Sequence, residues 1–303
     1  MTAGVVAMAY GTPRHPDEIE AYYTDIRQGR PPSPEQLADL VRRYHAIGGL
    51  SPLAERTAEQ CGAIAEALDG QDPGEFIVEL GQKHAEPTIE QAVTKLAARG
   101  VDTLIGLVLA PHYSSLSIAP YLDRASRAAA SHGLCFRAVE SWHLEPAYVT
   151  FLAAAVRDAV DAVPSPPKVI FTAHSLPQRI VGSGDPYPAQ LRETAQAVAH
   201  HARLAEWSQW AIAWQSAGRT AEPWLGPELL GVLRDLGAAE GAKSVVVCAC
   251  GFVADHLEVL YDLDIEAAAV AHEAGLSFAR TRCVNADPSV MHALAGLVRA
   301  QVS

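Results

Sequence analysis

The chain of 303 residues carries 23 basic and 35 acidic side chains, a formal net charge of −12, and 49% hydrophobic residues. This composition allows one large or two ordinary α/β domains, and it argues against nucleic acid or an anionic membrane as the default partner. The apolar run at residues 4–9 is too short to span a membrane and no basic segment precedes it, so we expect a cytoplasmic protein with no signal peptide and no stable membrane insertion.

Strands and helices alternate in the first half of the chain. Apolar runs of strand length are followed by segments of helical periodicity, and Ser33 with Gln36 three residues on predicts a helix N-cap. The first and third strands end in short turns at Tyr10 and His112. Alternation of this kind favours a parallel sheet that helices cover on both faces. The predicted strands are residues 4–9, 76–80 and 101–110, and the predicted helices begin near residues 17, 33 and 88.

The pattern restarts near residue 151. The first strand of this second half ends in AHSLP (173–177), which matches AYGTP (9–13) at the end of the first strand of the chain. Together with the shared alternation, this match predicts two similar doubly wound domains, residues 1–150 and 151–303, with a cleft between them. The final helix could pack on either domain. The predicted strands are residues 168–172, 210–214 and 244–248, and the predicted helices include residues 151–163, 188–206 and 289–302.

The segment 244–266 changes from an apolar strand to an acidic helix. Asp255 is a suitable N-cap, and after it Glu258, Asp262 and Glu266 follow at intervals of four, so an α-helix would align them on one face. Like charges at this spacing repel, so the acidic row requires a cation. A divalent metal bound by carboxylate oxygens is one interpretation, and an acidic face exposed to solvent is the other.

Parallel sheets bind ligands beyond the carboxyl ends of their strands, so we expect Tyr10, His112 and His174 to face one cleft together with the helix after Asp255. If His174 faces Glu258, the pair offers one nitrogen and one oxygen to a divalent ion, and the imidazole can accept a proton near neutral pH. Alone, such a histidine is more often structural. We expect activity to fall on the acid side as His174 becomes protonated.

Several arginines lie near Tyr10 in the sequence. Their forked guanidinium groups match carboxylates, so the cluster could hold a flat organic anion. Each arginine taken alone is more often an exposed surface charge. The cluster and its neighbours are Arg27, Arg30, Arg42, Arg43, Tyr44 and Ser51.

Other chemistries find little support. The chain has no G-x-S-x-G elbow, no Walker loop and no G-x-G-x-x-G motif. His256 precedes Glu258 by two residues, so on a helix it would point elsewhere and the pair does not form a zinc hydrolase motif. Five cysteines without a secretory signal predict reduced thiols, with Cys248 and Cys250 as small buried residues rather than metal or iron–sulfur ligands.

The chain resembles the ferrochelatase family, and within it the coproporphyrin ferrochelatases of Gram-positive bacteria. The resemblance runs nearly end to end, and Tyr10 favours the coproporphyrin branch. The motifs that carry it are AYGTP (9–13), YYTDIRQGRPPSPE (22–35), RRYHAIGGLSPL (42–53), KHAEP (83–87), LAPHYSSLS (109–117), FTAHSLP (171–177), GDPYP (184–188), WQSAG (214–218), PWLGP (223–227) and GFVADHLEVLYDLDIE (251–266).

This resemblance implies two flavodoxin-like domains with a porphyrin between them, and a lyase of haem biosynthesis that inserts ferrous iron into coproporphyrin III. It implies a catalytic, metal-binding pair, His174 and Glu258, with Tyr10 as axial ligand of the product iron. Asp262 and Glu266 match an outward line of metal-binding carboxylates. The porphyrin contacts that it implies are Tyr10, Arg27, Arg43, Tyr44, Ser51 and Tyr121.

Ferrous iron is therefore expected as a substrate. No tightly bound cofactor is expected. No iron–sulfur cluster is expected either, because some relatives hold one on cysteines of a C-terminal extension, whereas this chain stops at Ser303 just after its final helix and has no cysteine directly after AHSLP. We expect a monomer. The alternatives are a haem or porphyrin carrier, a protoporphyrin IX ferrochelatase, and a chelatase for another tetrapyrrole. A two-domain solute-binding protein would have a similar cleft, but the chain shows no export signal.

Overall fold

The computed structural model describes residues 2–164, 166–205, 208–218, 220–239 and 241–302. Two four-stranded parallel sheets form an α/β fold, and their strand orders are β2-β1-β3-β4 and β6-β5-β7-β8. The orders are equivalent, which confirms the predicted similarity of the two halves. The strands are β1 (Ala3–Ala9), β2 (Phe76–Gln82), β3 (Thr103–Val108), β4 (Cys135–Val139), β5 (Lys168–His174), β6 (Trp210–Gln215), β7 (Ser244–Cys248) and β8 (Ser277–Arg280).

Helices connect successive strands, as parallel pairing requires. The predicted cap of α2 is confirmed, because the Gln36 backbone N–H donates to Ser33 Oγ at 3.3 Å and Ser33 N–H donates to Gln36 Oε1 at 2.9 Å. The helices are α1 (Ile19–Ile26), α2 (Pro34–Ala46), α3 (Leu53–Gln71), α4 (Ile89–Ala98), α5 (Ile118–Ser131), α6 (Pro146–Asp161), α7 (Arg179–Gly182), α8 (Tyr187–His201), α9 (Leu229–Ala238), α10 (Leu257–Leu260), α11 (Ala268–Glu273) and α12 (Pro288–Arg299), with a π-helix at Asp262–Ala267 between α10 and α11.

The central strands are buried on both faces. All seven residues of β1 are buried, with Val5 in one hydrophobic core while Val6 and Met8 lie in a second core on the other face of the sheet. Val246 of β7 likewise faces the first core, and the side chains next to it face a third. This explains why the strands read as continuous apolar runs rather than alternating ones.

One core passes from the first sheet to the second. Tyr148 and Phe151 of α6 belong to the same cluster as Val5 of β1 and Phe171 of β5. The predicted domain boundary at residue 150 lies inside α6, so the division at that residue stays a prediction.

The last helix packs on the first half of the chain. Leu294 of α12 shares a core with Ile64 and Leu68 of α3, and Arg299 forms an ion pair with Asp72 at the end of that helix. Of the two packing partners that the sequence left open, the structure therefore selects the first domain.

The acidic segment differs from the expected helix. Asp255 is not its N-cap: α10 begins at Leu257 after an extended His256 with φ −156°. The chain then passes through the π-helix before α11, so the acidic residues do not lie on one continuous α-helix. The predicted end of another helix, Glu206, lies outside the described residues. No helix in the described ranges has both the length and the apolar character needed to cross a bilayer.

Candidate active site

Two equivalent strands place the first site residues. Tyr10 follows β1 and is 42% exposed, and His174 is the last residue of β5. Glycines allow the chain to pass closely here: a Cβ on Gly11, which has φ +93°, would lie 2.8 Å from Ala85 Cβ, and one on Gly251 would lie 2.4 Å from Ala173 Cβ. The close packing of Gly251 brings the segment that carries Glu258 against the end of β5.

The predicted pair meets. His174 Nε2 lies 3.6 Å from Glu258 Oε1, and the two side chains are 35% and 38% exposed, so both can be reached from solvent. His174 Nδ1 lies 2.5 Å from the Ser175 carbonyl oxygen. A carbonyl can only accept, so Nδ1 carries the hydrogen and, in the neutral ring, the lone pair of Nε2 points toward the carboxylate. Two facing acceptors create a site for a proton or a metal cation.

Each group of the pair shifts the pKa of the other toward its charged form. Burial lowers the pKa of His174, but the carboxylate of Glu258 outweighs burial and the pKa is raised to about 8. Burial also disfavours ionised Glu258, yet the imidazoles of His174 and His256 hold the pKa of its carboxyl well below the usual range. The pair therefore binds one proton near neutral pH, and a metal would have to displace that proton.

His256 also belongs to the site, contrary to the expectation that it points elsewhere. Because its backbone is extended rather than helical, its ring turns back, and Nε2 lies 3.8 Å from Glu258 Oε2. Its Nδ1 lies 2.9 Å from the Ala254 carbonyl oxygen, which orients the ring. The helical spacing assumed for this segment concealed the contact.

Tyrosines from the first half of the chain interact electrostatically with Glu258 of this pair. Tyr10 packs on His84 with ring centroids 4.6 Å apart. Burial raises the pKa of Tyr10, Tyr22 and Tyr44, and the charge of Glu258 raises each of them further. The predicted residue Tyr121 is buried and interacts electrostatically with Tyr10. We call these four residues the tyrosine wall (Tyr10, Tyr22, Tyr44 and Tyr121), and Tyr22 is the one that was not predicted.

The acidic row obtains its cation from the first half of the chain. Arg43 of α2 lies 3.2 Å from Asp262 Oδ1 and 3.9 Å from Glu266 Oε1, and its guanidinium covers the Tyr261 ring at 4.6 Å. Burial and the nearby Glu258 raise the pKa of Asp262 to about 6, although the Ser216 hydroxyl and Arg43 oppose them. Arg43 is thus held by protein carboxylates rather than pointing freely into the cleft.

The other residues of the predicted arginine cluster form local contacts with residues two or three positions away in the sequence. Arg27 donates to the Arg30 carbonyl at 3.1 Å, and Arg30 donates to that of Arg27 at 3.3 Å. Arg42 pairs with Asp39. Ser51 is buried and accepts the Leu53 N–H at 3.3 Å. The guanidinium groups of Arg27 and Arg30 form no ion pair with a carboxylate within the described ranges.

His112 does not face the cleft, which corrects the prediction. It is buried, and its Nε2 lies 2.9 Å from Thr194 Oγ1 in the contact between the two halves. Burial lowers the pKa of His112 to about 3, so the ring is neutral. The chain turns inward after β3, and that turn could not be read from the apolar pattern.

The five cysteines are free thiols, and Cys248, Cys250 and Cys283 are buried. Among the residues that the structure describes, no group of three or more His, Cys, Asp and Glu side chains is placed to hold a metal ion. The pair His174 and Glu258 therefore offers one nitrogen and one oxygen, and not a complete set of metal ligands.

A model of the family described as Ferrochelatase matches residues 2–302. The chain is 46% identical over 303 residues to the coproporphyrin III ferrochelatase of Geobacillus kaustophilus (strain HTA426), with 98% of this chain and 95% of the relative covered. It is 44% identical over 304 residues to the coproporphyrin III ferrochelatase of Halalkalibacterium halodurans, with 99% and 97% covered.

Two solved structures share the fold. SirB from Bacillus subtilis with Fe3+ has a TM-score of 0.59 at 13% identity, covering 100% of this chain and 96% of that chain. CbiX, the terminal enzyme of sirohaem biosynthesis in denitrifying bacteria, has a TM-score of 0.55 at 14% identity, covering 100% of both chains. These similarities establish the architecture, and the sequence relatives establish the family.

Proposed function

Because the chain belongs to the ferrochelatase family, we propose that it inserts ferrous iron into coproporphyrin III to give iron coproporphyrin. The reaction exchanges Fe²⁺ for the two pyrrole N–H protons of the macrocycle. The relatives named coproporphyrin III ferrochelatase are 44–46% identical to this chain over nearly its whole length, which supports coproporphyrin III as the substrate.

The observation that carries the proposal is the distance of 3.6 Å between His174 and Glu258. In the neutral ring, Nε2 carries the free lone pair, so it can accept a proton from a pyrrole N–H. The Glu258 carboxylate stabilises the imidazolium that results and offers an oxygen that can replace water on the incoming iron. The pair thus combines a base and a metal ligand, which are the two functions that metal insertion requires.

We propose that the macrocycle packs against the tyrosine wall, with Tyr10 as the axial ligand of the product iron. The raised pKa of Tyr10 keeps it a neutral phenol until a metal arrives, so the free site does not hold an unpaired phenolate. Contacts to the porphyrin are proposed for Arg27, Arg43, Tyr44, Ser51 and Tyr121.

Asp262 and Glu266 are proposed as outer metal-binding positions that lead toward solvent. A metal there competes with Arg43, which already pairs with both carboxylates. The raised pKa of Asp262, at about 6, means that a metal binds it best above that pH.

An anaerobic metallation assay tests the proposal. Purified protein should convert coproporphyrin III and ferrous iron to the metallated product, with protoporphyrin IX converted more slowly. His174→Ala should abolish turnover while porphyrin binding and the circular dichroism spectrum are retained. Wild-type turnover in that variant would reject the role of His174. Tight haem binding by the wild-type protein without iron insertion would instead support a carrier.

We also propose a cytoplasmic monomer without a tightly bound cofactor or iron–sulfur cluster. The free state of all five cysteines fits a reducing compartment. Sedimentation velocity should give a mass near 32.2 kDa, and the isolated protein should contain no acid-labile sulfide. A dimer mass or bound sulfide would contradict this proposal.

A further inference from the structure

A polar seam joins the two halves behind the candidate site. The seam consists of side chains of α8 and of the segment just before it, which contact the loops after β3 and β4. Gln190 Oε1 accepts the Tyr113 N–H at 2.7 Å and the Ser141 hydroxyl at 3.2 Å. Thr194 Oγ1 contacts His112 and donates to the His143 carbonyl at 3.0 Å. The seam therefore fixes the first half against α8.

Asp185 is the most strongly bonded residue of the seam. Its Oδ2 accepts from Ser114 Oγ at 3.0 Å, Ser115 N at 2.7 Å and Ser115 Oγ at 2.6 Å. Burial opposes ionisation, but these donors and the Tyr187 N–H outweigh it and lower the pKa of Asp185, so the group is a carboxylate. Hydrogen bonds to a charged acceptor are stronger than neutral ones, which makes this a firm connection between the halves.

Tyr187 connects Asp185 to the site. Its backbone N–H donates to Asp185 Oδ1 at 3.0 Å, and its hydroxyl donates to the His174 carbonyl at 2.9 Å. The side chain is buried, with its ring 5.5 Å from Trp214 and 6.1 Å from His112. A rigid aromatic side chain thus fixes the peptide that follows His174, at the point where β5 ends.

We propose that Asp185 and Tyr187 are positioning residues for the reaction. One oxygen of Asp185 fixes the loop that leads into α5, which carries Tyr121. The other oxygen fixes Tyr187, and through it the backbone of His174. A single carboxylate thereby sets the spacing between the tyrosine wall and the proton acceptor. Misplacement by about 1 Å at a reacting group can cost on the order of 100-fold in rate.

The structure offers a matched control. Tyr148 is also buried, and its hydroxyl donates to the Cys250 carbonyl, so Tyr148→Phe removes a hydrogen bond of the same kind without contact to His174. Asp287 accepts the Ser289 and Val290 N–H groups at the start of α12, and Asp287→Asn provides a control for the loss of a carboxylate.

This inference rests on the proposed function, and steady-state kinetics with coproporphyrin III and ferrous iron test it. Tyr187→Phe should lower kcat about 5- to 20-fold and leave the porphyrin KM within about twofold, because the substrate still meets an intact wall. Asp185→Asn should lower kcat and also raise KM, because it releases both ends of the connection. Adding Tyr187→Phe to Asp185→Asn should lower kcat less than about twofold further, since both act through one path.

Both control variants should keep kcat within about twofold while losing a similar amount of thermal stability. A kcat for Tyr187→Phe that matches wild type, or an equal fall in Tyr148→Phe, would overturn the inference. If the wild-type protein inserts no iron, the proposed function fails, and the inference is judged by the NMR resonances of the His174 ring. These should shift in Tyr187→Phe and Asp185→Asn and stay in place in Tyr148→Phe, and unchanged resonances in Tyr187→Phe would reject the positioning role.

Discussion

Substituting Glu258 by glutamine should lower the pKa of His174 from about 8 to below the ordinary imidazole value of about 6.5. Burial alone disfavours the imidazolium, and the carboxylate is what reverses that effect. The expected change is thus at least about 1.5 pH units, the difference between these two values. At pH 7 the ring of the wild-type protein is then about nine-tenths protonated, while the ring of the variant is mostly neutral.

The same pairing sets the dependence of stability on pH. Because the pKa of His174 is raised in the folded protein, its contribution to stability is fully present below about pH 6.5 and is lost as the pH rises through about 8. The wild-type protein should therefore lose unfolding free energy relative to Glu258→Gln across this interval. The contribution of Glu258 to stability has the opposite pH dependence. It is lost at low pH, where protonation of the carboxyl removes its attraction to His174.

Two measurements check the prediction. The imidazole resonance of His174, assigned by its absence in His174→Ala, should titrate near pH 8 in the metal-free wild-type protein. The acid limb of kcat/KM should have its midpoint in the same region, because only neutral Nε2 can accept a proton. A wild-type midpoint at or below pH 6.5, or the same midpoint in Glu258→Gln, would refute this account of the pair. His256→Ala should change the midpoint less than Glu258→Gln does, since its Nε2 contacts the carboxylate rather than the ring.

Arg43→Gln leaves Asp262 without its cation, so urea unfolding should show a loss of about 1–3 kcal/mol of unfolding free energy at pH 8. The loss should be smaller at pH 5, where the Asp262 carboxyl is mostly neutral, and an equal loss at both pH values would contradict the ion pair. Gly251→Ala forces a Cβ to within 2.4 Å of β5 and should cost about 1–3 kcal/mol together with activity, whereas Gly62→Ala, with open space around it, should gain about 0.5–1 kcal/mol. Leu294→Ala should cost about 2–5 kcal/mol in the same assay, and a smaller loss would mean that α12 is not part of the main core.

Most of the architecture could be predicted from local patterns. The runs that form β1 and β7 are buried on both faces, so their sequences are apolar without interruption and can be recognised as strands. β4 and β8 were missed because they are short, little buried and interrupted by charge: β4 contains Arg137, and β8 contains Arg280. A short strand that a charged side chain interrupts does not differ clearly from a loop in sequence.

The site was predicted less completely, for a geometric reason. His174 and Glu258 could be placed because each follows a recognisable strand. The contact between His256 and Glu258 depends on one extended residue, and the contact of Arg43 with Asp262 depends on a π-helix between two short α-helices. Periodicity assumes regular backbone, so it fails where the backbone departs from regularity. His112 was misplaced for the same reason, since the turn after β3 decides its direction.

The packing of α12 on α3 has a consequence for biosynthesis. About 217 residues separate Leu68, at the end of α3, from Asn285, just before α12. While the ribosome is still translating that interval, the apolar side of α3 that will receive Leu294 stays uncovered. The amino-terminal sheet can form early in translation, but it reaches its final stability only when the last stretch of polypeptide leaves the exit tunnel.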